Sequence, residues 1–299
     1  MSEPRRIVPL PLGGELGLPY SRGLMARSLI AAGVSPYRAY ALASRVADDL
    51  SARGRRNVEL ERLEELAVEM LGENEARRAL QRLRSYEELR ELDLPILILI
   101  GGATGTGKST VASELGYRFG ITRVTSTDCI RQTMRAFLSS AFMPSIHYSS
   151  FEAGDAFPEA DDPLEFAFLQ QSRDVLVGAR ASLERALEEG WSMVLEGVHL
   201  VPGMLEPPYP DDAVVVSCLL TIPDEAAHEA HFLARDIGSD RPLSRYLERF
   251  DDIRRLQELL VERARREDTP VIENEDADRA ASAIADLVLA AADRVRERV

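Results

Sequence analysis

Residues 102 to 109, Gly-Ala-Thr-Gly-Thr-Gly-Lys-Ser, match G-x-x-x-x-G-K-[ST] at every fixed position. Lysine and arginine together number 36, and Lys108 is the single lysine of the chain. Arginine serves everywhere else, so the amine is kept where a guanidinium does not substitute for it. The residue types explain the chemistry. Gly102, Gly105 and Gly107 let successive backbone N–H groups turn toward phosphate oxygens. A helix beginning near Ser109 and Thr110 adds its positive end. Lys108 brings a compact charge on a flexible stem to the β- and γ-phosphates, where arginine's planar fork fits poorly. Ser109 is placed to ligate Mg²⁺. Ala103, Thr104 and Thr106 fill the variable positions of the cradle. A glycine-rich turn without a ligand is the plain alternative, but it gives no reason for lysine at this one position. The pattern therefore predicts binding of a nucleoside triphosphate, with ATP and Mg²⁺ as the expected cofactors.

Such a loop can power motion, switch a signal or transfer phosphate, and the surrounding residues distinguish these. Asp128 and Arg131 lie three apart at a predicted helix start, on one face. There a carboxylate can orient or deprotonate an acceptor hydroxyl, and an arginine can grip an anionic substrate; a helix cap with a local ion pair is the alternative. Glu196 ends the strand "MVLE", at the rim where ligands of open α/β sheets bind. It suits Mg²⁺, through water, or a base. His199 follows closely, either near the chemistry or as a structural hydrogen bonder. The loop "SIHYSSFEAG", 145–154, suits a hydroxyl-bearing or phosphorylated acceptor, or simple surface packing. Arg235, Arg241, Arg245, Arg249, Arg254 and Arg255 crowd one stretch, and Arg241, Arg245 and Arg249 recur every fourth residue. A helical row of arginines clamps transferred phosphate and an anionic acceptor. The acidic neighbours Glu248, Asp251 and Asp252 leave a solvated ion-pair face open. Gly238 and Pro242 break the pattern as a lid requires.

Three blocks must position these residues. Residues 1–88 read as helical, with Ser35-Pro36 opening a helix and Gly54 and Gly72 closing two others. Residues 89 to about 225 alternate strands and helices. "PILILI" is a short all-apolar run, as a strand buried on both faces should be. "GITRVTST", "WSMVLEG" and "DAVVVSCLLTI" read as further strands, with helices over 109–119, 129–139 and 164–189. That alternation predicts a parallel α/β sheet. The remainder is helical apart from the strand "TPVIEN", with a lid at about 226–268 in a second domain spanning 89–299. A net charge of −14 repels phosphate backbones and argues against nucleic-acid partners. No apolar run approaches membrane-spanning length, the N-terminal stretch lacks a signal-peptide core, and Cys129 and Cys218 form no framework. A cytoplasmic protein acting on a small molecule is expected, with oligomeric state open.

"IGGATGTGKST", "TSTDCIRQTMR", "YSSFEAG", "LEGVHLVPG", "RYLERFDDIRRLQ" and "TPVIEN" together resemble the 2-phosphoglycerate kinase family, over residues 1 to about 275. The resemblance implies a nucleoside-kinase type of P-loop fold with strand order 2-3-1-4-5. It implies transfer of the γ-phosphate of ATP to the 3-hydroxyl of 2-phosphoglycerate, giving 2,3-bisphosphoglycerate. The first block resembles an ATP-cone, a helical nucleotide-sensing module, with Ser21, Arg22 and Arg27 where phosphate contacts are expected; a helical scaffold without nucleotide is the alternative. The lid reads "DIGSD" between its arginines, where a doubly anionic acceptor calls for a more basic stretch. The readings at this point are a 2-phosphoglycerate kinase, a kinase of another hydroxy acid or sugar acid, and a nucleotide-sensing regulator. In the first, Lys108, Asp128, Arg131, Glu196, Arg241 and Arg245 carry catalysis, and Ser109 and Glu196 hold the metal.

Overall fold

The computed structural model of the chain describes residues 20–205, 213–235 and 243–297. The chain divides into two compact units: Met1–Asp93 with Tyr117–Gly120, and Leu94–Gly116 with Ile121–Val299.

The first unit contains four helices: α1 (Arg22–Ala31), α2 (Pro36–Arg53), α3 (Leu60–Leu71) and α4 (Glu73–Glu91). Its core gathers one apolar stripe from each, including Leu29, Leu42, Val46, Leu66 and Leu83. Gly54 and Gly72 stand at the ends of α2 and α3 with φ of 62° and 81°, the stop signals read from the sequence. Ser35 and Pro36 open α2 as expected, although the Ser35 side chain makes no capping bond. Ser21 caps α1, accepting from the Leu24 N–H at 3.4 Å.

The second unit is built on a five-stranded parallel sheet in the order β2-β3-β1-β4-β5. The strands are β1 (Ile96–Gly101), β2 (Val124–Ser126), β3 (Met193–Glu196), β4 (Val214–Thr221) and β5 (Val271–Glu273). This is the order the resemblance implies. Central β1 and β3 are buried almost throughout, as their unbroken apolar runs require. Between the strands run α5 (Lys108–Phe119), α6 (Thr127–Phe137) and α7 (Pro163–Glu188), close to the helices read from apolar periodicity. Strand β2 is shorter than "GITRVTST" predicts. The chain leaves the sheet at Ser126, whose side chain accepts from the Cys129 N–H and opens α6. Two 3-10 turns, Ser145–His147 and Ser150–Ala156, occupy the segment ahead of α7.

After β4 come α8 (Glu225–Arg235), α9 (Leu243–Glu248) and α10 (Phe250–Arg266), then β5 and α11 (Ala277–Arg296). Gly238, Arg241 and Pro242 lie outside the described residues. The expected row of arginines does not run along one helix, because Arg249 separates α9 from α10 with φ −114° and ψ 20°. Each helix answers to different packing. Tyr246 of α9 meets the rings of Phe151 and Phe232, while α10 buries Ile253, Leu256, Gln257, Leu260 and Ala264. Among the described residues no helix is long and apolar enough to cross a membrane.

Candidate active site

The site forms at the carboxyl edge of the sheet. The loop 102–107 leaves β1 and feeds directly into α5, so the first N–H groups of that helix face the loop. Gly102, the first residue beyond β1, has φ 148°. A Cβ there would overlap the Leu220 carbonyl oxygen of β4 and lie 2.9 Å from Thr106 Oγ1, so the turn out of the strand admits only glycine. Ala103 and Thr106 are buried, while Thr104 and Gly105 are half-buried. Lys108 is only 9 % exposed, and its Nζ donates to the Ala103 carbonyl at 2.7 Å. The Thr106 hydroxyl donates to the same carbonyl at 3.0 Å. Ser109 and Thr110, in the first turn of α5, are exposed.

Glu196 arrives from the neighbouring strand. Parallel pairing sets it between Ile100 of β1 and Ser126 of β2. Its carboxylate is buried at 7 % exposure and accepts from Ser109 Oγ at 2.9 Å. A hydroxyl and a carboxylate side by side at a helix N-terminus are hard oxygen donors of the kind Mg²⁺ takes, so these residues fit that ion.

Asp128 and Arg131 occupy the first turns of α6. Arg131 Nε donates to Asp128 Oδ1 at 3.0 Å, and Nη2 lies 2.9 Å from the same oxygen. The Asp128 side chain is 44 % exposed while that of Arg131 is 4 % exposed. The remaining donors of the guanidinium point inward: Nη1 donates to the carbonyls of Ile146 and Tyr148, both at 2.8 Å. Arg131 therefore ties an outward carboxylate to the turn at 145–148.

A buried polar chain supports that turn from behind. Gln171 of α7, fully buried, donates through Nε2 to the carbonyls of Ser145 at 2.5 Å and Tyr148 at 3.2 Å. Those two bonds fix the amide, leaving Oε1 to face His199 Nε2 at 3.0 Å. Nε2 must carry the hydrogen, and Nδ1 accepts from the Thr127 hydroxyl at 2.8 Å. His199 is thus neutral and of one tautomer. Burial, first of all, holds its pKa down at about 3; Asp128 opposes the shift, while Arg131 and Lys108 reinforce it. Gly197, between Glu196 and this histidine, has φ 151°, and a Cβ there would overlap Thr127 Oγ1.

Arg245, Arg249 and Arg255 of the lid region meet carboxylates. Arg245 Nε donates to Glu152 Oε1 at 2.6 Å, with a second bond from Nη2 to Oε2, and Nη2 reaches Ser149 Oγ at 3.2 Å. Arg249 pairs with Asp155 at 2.9 Å and Arg255 with Asp162 at 2.9 Å. Burial opposes ionisation of Glu152, but the Arg245 bond and charge outweigh it and hold that carboxyl below the ordinary range. A cavity of about 300 Å³ adjoins these pairs, lined by Phe151, Glu152, Asp155, Leu164, Arg249 and Arg255 among others.

Sequence reasoning placed Gly102, Lys108, Ser109, Asp128, Arg131, Glu196 and Arg245 in one unit, and the structure brings Lys108, Ser109 and Glu196 together, with Thr127 of the Asp128 turn packed against Gly197. It missed Gln171, for which an apolar helix pattern offers no local signal. It also missed His228 and His231, although two of the chain's four histidines three apart on one helix was a visible sign.

No protein-family model matches the chain. Curated relatives do. A 2-phosphoglycerate kinase from Thermococcus kodakarensis is 39 % identical over 272 residues, covering 90 % of this chain and 92 % of the relative. One from Methanopyrus kandleri is 38 % identical over 265 residues, covering 87 % and 81 %. One from Pyrococcus furiosus is 34 % identical over 273 residues, covering 91 % and 89 %.

Proposed function

This chain belongs to the 2-phosphoglycerate kinase family, and we propose that it transfers the γ-phosphate of ATP to the 3-hydroxyl of 2-phosphoglycerate, giving 2,3-bisphosphoglycerate and ADP. Kinase activity follows from the family. The observation that carries it is the meeting of Lys108 and Ser109 at the start of α5 with Glu196 at the end of β3, Ser109 Oγ lying 2.9 Å from Glu196 Oε1.

Lys108 and the N–H groups of 102–110 hold the triphosphate and offset its charge. Ser109 and Glu196 would hold Mg²⁺, which when bound would offset negative charge on the phosphates. Asp128 orients the acceptor hydroxyl and takes its proton as the new P–O bond forms; the bond from the γ-phosphorus to the β-γ bridging oxygen breaks and ADP leaves. Arg131 acts by holding Asp128 and the 145–148 turn, since its guanidinium is buried and shared with two carbonyls. Arg245 grips the acceptor's carboxylate or phosphate, which competes with Glu152 for it, and Arg241 completes the grip. Little covalent work is asked of the protein: positioning and electrostatics carry the transfer. A cytoplasmic location fits an enzyme of central small metabolites.

The test is ³¹P NMR of the purified protein with Mg-ATP and 2-phosphoglycerate, beside tubes holding 3-phosphoglycerate or no acceptor. A bisphosphoglycerate signal in the first tube alone supports the proposal. ADP without that ester moves the acceptor to another hydroxy acid. No ADP in any tube refutes the kinase mechanism and favours a nucleotide sensor.

A further inference from the structure

The outer side of the phosphate loop is held by three side chains that the mechanism above does not use. His228 Nε2 lies 2.8 Å from the Thr104 carbonyl, His231 Nδ1 lies 3.2 Å from the Gly105 carbonyl, and Asn274 Nδ2 donates to the Thr106 carbonyl at 2.9 Å. Three consecutive carbonyls thus each meet a side-chain nitrogen. The two histidines share one face of α8, and Asn274 follows β5, its backbone N–H extending the ladder to the Thr221 carbonyl at 2.8 Å.

The protonation of His228 follows from its neighbours. Arg254 Nη1 lies 3.3 Å from His228 Nδ1, and an arginine can only donate. Nδ1 therefore accepts, and Nε2 carries the hydrogen offered to Thr104. Arg254 is itself anchored, donating to the carbonyls of Ile222 and Pro223, both at 2.8 Å. His228 is fully buried and stacks on Phe232 with ring centroids 5.5 Å apart. Its pKa is pushed down to about 4, first by burial; the bond to Thr104 opposes the shift, and Arg254 adds to it. Asn274 comes so close to Gly107 that a Cβ on that glycine would overlap its Nδ2.

We propose that His228, with His231 and Asn274, is a positioning residue for nucleotide binding, holding the carbonyls of the phosphate loop outward so that its N–H groups stay turned to phosphate. The reason lies in the trans peptide plane, whose C=O and N–H point in opposite directions. Fixing the carbonyls of Thr104, Gly105 and Thr106 fixes the N–H groups of Gly105, Thr106 and Gly107; that of Thr106 bonds the Ala103 carbonyl across the turn at 3.4 Å, so those of Gly105 and Gly107 are the ones kept for phosphate. A glycine-rich loop without that restraint samples many orientations and must lose that freedom on binding. The proposal rests on the reading of 102–109 as the site of ATP phosphates.

His228→Phe keeps a buried ring and removes the donor, whereas His228→Gln keeps an N–H within reach of Thr104. Mg-ATP binding is measured by calorimetry, Michaelis constants for ATP and for 2-phosphoglycerate are measured separately, and melting is followed without nucleotide. We expect His228→Phe to weaken Mg-ATP binding by roughly five- to tenfold, the worth of one buried hydrogen bond. The Michaelis constant for 2-phosphoglycerate should stay within about twofold, and His228→Gln should recover most of the loss. If His228→Phe does not fold, Asn274→Ala, at the edge of the sheet, decides by the same loss of Mg-ATP affinity. Wild-type binding of Mg-ATP with equal affinity in these variants overturns the positioning role alone. Equal losses for both substrates, or no recovery in His228→Gln, overturn it as well. Failure of the wild type to bind Mg-ATP overturns the nucleotide reading beneath it.

Discussion

Alanine at Gly197 would press on both halves of the active site at once. The residue has φ 151°, where a side chain is strained, and an ideal Cβ would overlap Thr127 Oγ1 while lying 2.9 Å from Thr127 Cβ and 3.1 Å from Thr127 N. The last two atoms do not move with the side-chain torsion and belong to the first turn of α6, so rotating the side chain shifts the hydroxyl but leaves those two contacts. Overpacking costs about 1–3 kcal/mol. The backbone strain adds about 1–3 kcal/mol. Thr127 must retreat from His199 Nδ1, now 2.8 Å away, and a buried acceptor left unpaired costs about 1–3 kcal/mol. One displacement serves the first and third of these, so they overlap, and about 4 kcal/mol is expected in total. Such a loss lies within the stability of a typical domain, so the variant should fold with a lowered melting temperature. Its kinetic effect should be selective. The push moves Thr127, next to Asp128, and Gly197, next to Glu196, but not the loop 102–107. Turnover should fall at least about tenfold, with the Michaelis constant for ATP changed less than about threefold. Urea denaturation and initial rates give both quantities. Adding Thr127→Ala removes the overlapped oxygen, so the double variant should regain at least about 1 kcal/mol relative to additivity. Additive behaviour, or Gly197→Ala as stable as the wild type, would refute the reasoning.

Lys108→Ala should lower turnover by about a hundredfold or more while leaving the melting temperature close to that of the wild type; because Lys108 is the single lysine, peptide mapping after amine labelling should also show Mg-ATP, and not the acceptor, protecting that one side chain. Arg131→Lys should cost about 2 kcal/mol, because a single ammonium lacks the fork by which Nε and Nη2 reach Asp128 while Nη1 reaches two carbonyls; catalytic efficiency for the acceptor should fall about tenfold with Mg-ATP binding intact, and loss confined to ATP would contradict its placement. Acid should destabilise the fold through the buried histidines. Unfolded histidine takes up a proton near pH 6.5, whereas His199 and His228 resist until about 3 and about 4. The unfolded state therefore binds more protons over that window, and stability, fully present above pH 6.5, declines as pH falls, by about 1.4 kcal/mol per pH unit for each histidine. Denaturation at pH 7, 6 and 5 should show a shallower decline in His228→Gln by that amount, and an unchanged slope would sink the assignment of a neutral His228.

Much of the site's chemistry was legible in local sequence, because a phosphate loop is a local device. Its glycines, its lysine and the start of the helix that follows lie within a dozen residues, and apolar runs such as "PILILI" mark the strand that must precede it. Helix starts at Ser35-Pro36 and stops at Gly54 and Gly72 were equally local, set by backbone preferences of single residues. Roles that depend on distant partners were not legible. The sequence marks Gly102 as a residue free to turn, but the Leu220 carbonyl that leaves no room for a side chain there comes from β4. Glu196 reaches Ser109 across 87 positions, and that meeting depends on β3 lying beside β1 in the sheet. Arg131 reads in sequence as a hand for the substrate; the turn at 145–148 folds over it and takes its donors. The arginine row reads as one helical face, but the packing of α9 and α10 against different partners divides it at Arg249. His228 finds Thr104 over 124 positions, and Gln171 finds His199 over 28. Sequence thus determined the chemical groups and the local turns that present them, because those follow from side-chain type and short-range periodicity. Only the tertiary structure decided which groups face solvent and which are spent on one another, because a buried donor must find its acceptor wherever the chain has brought one.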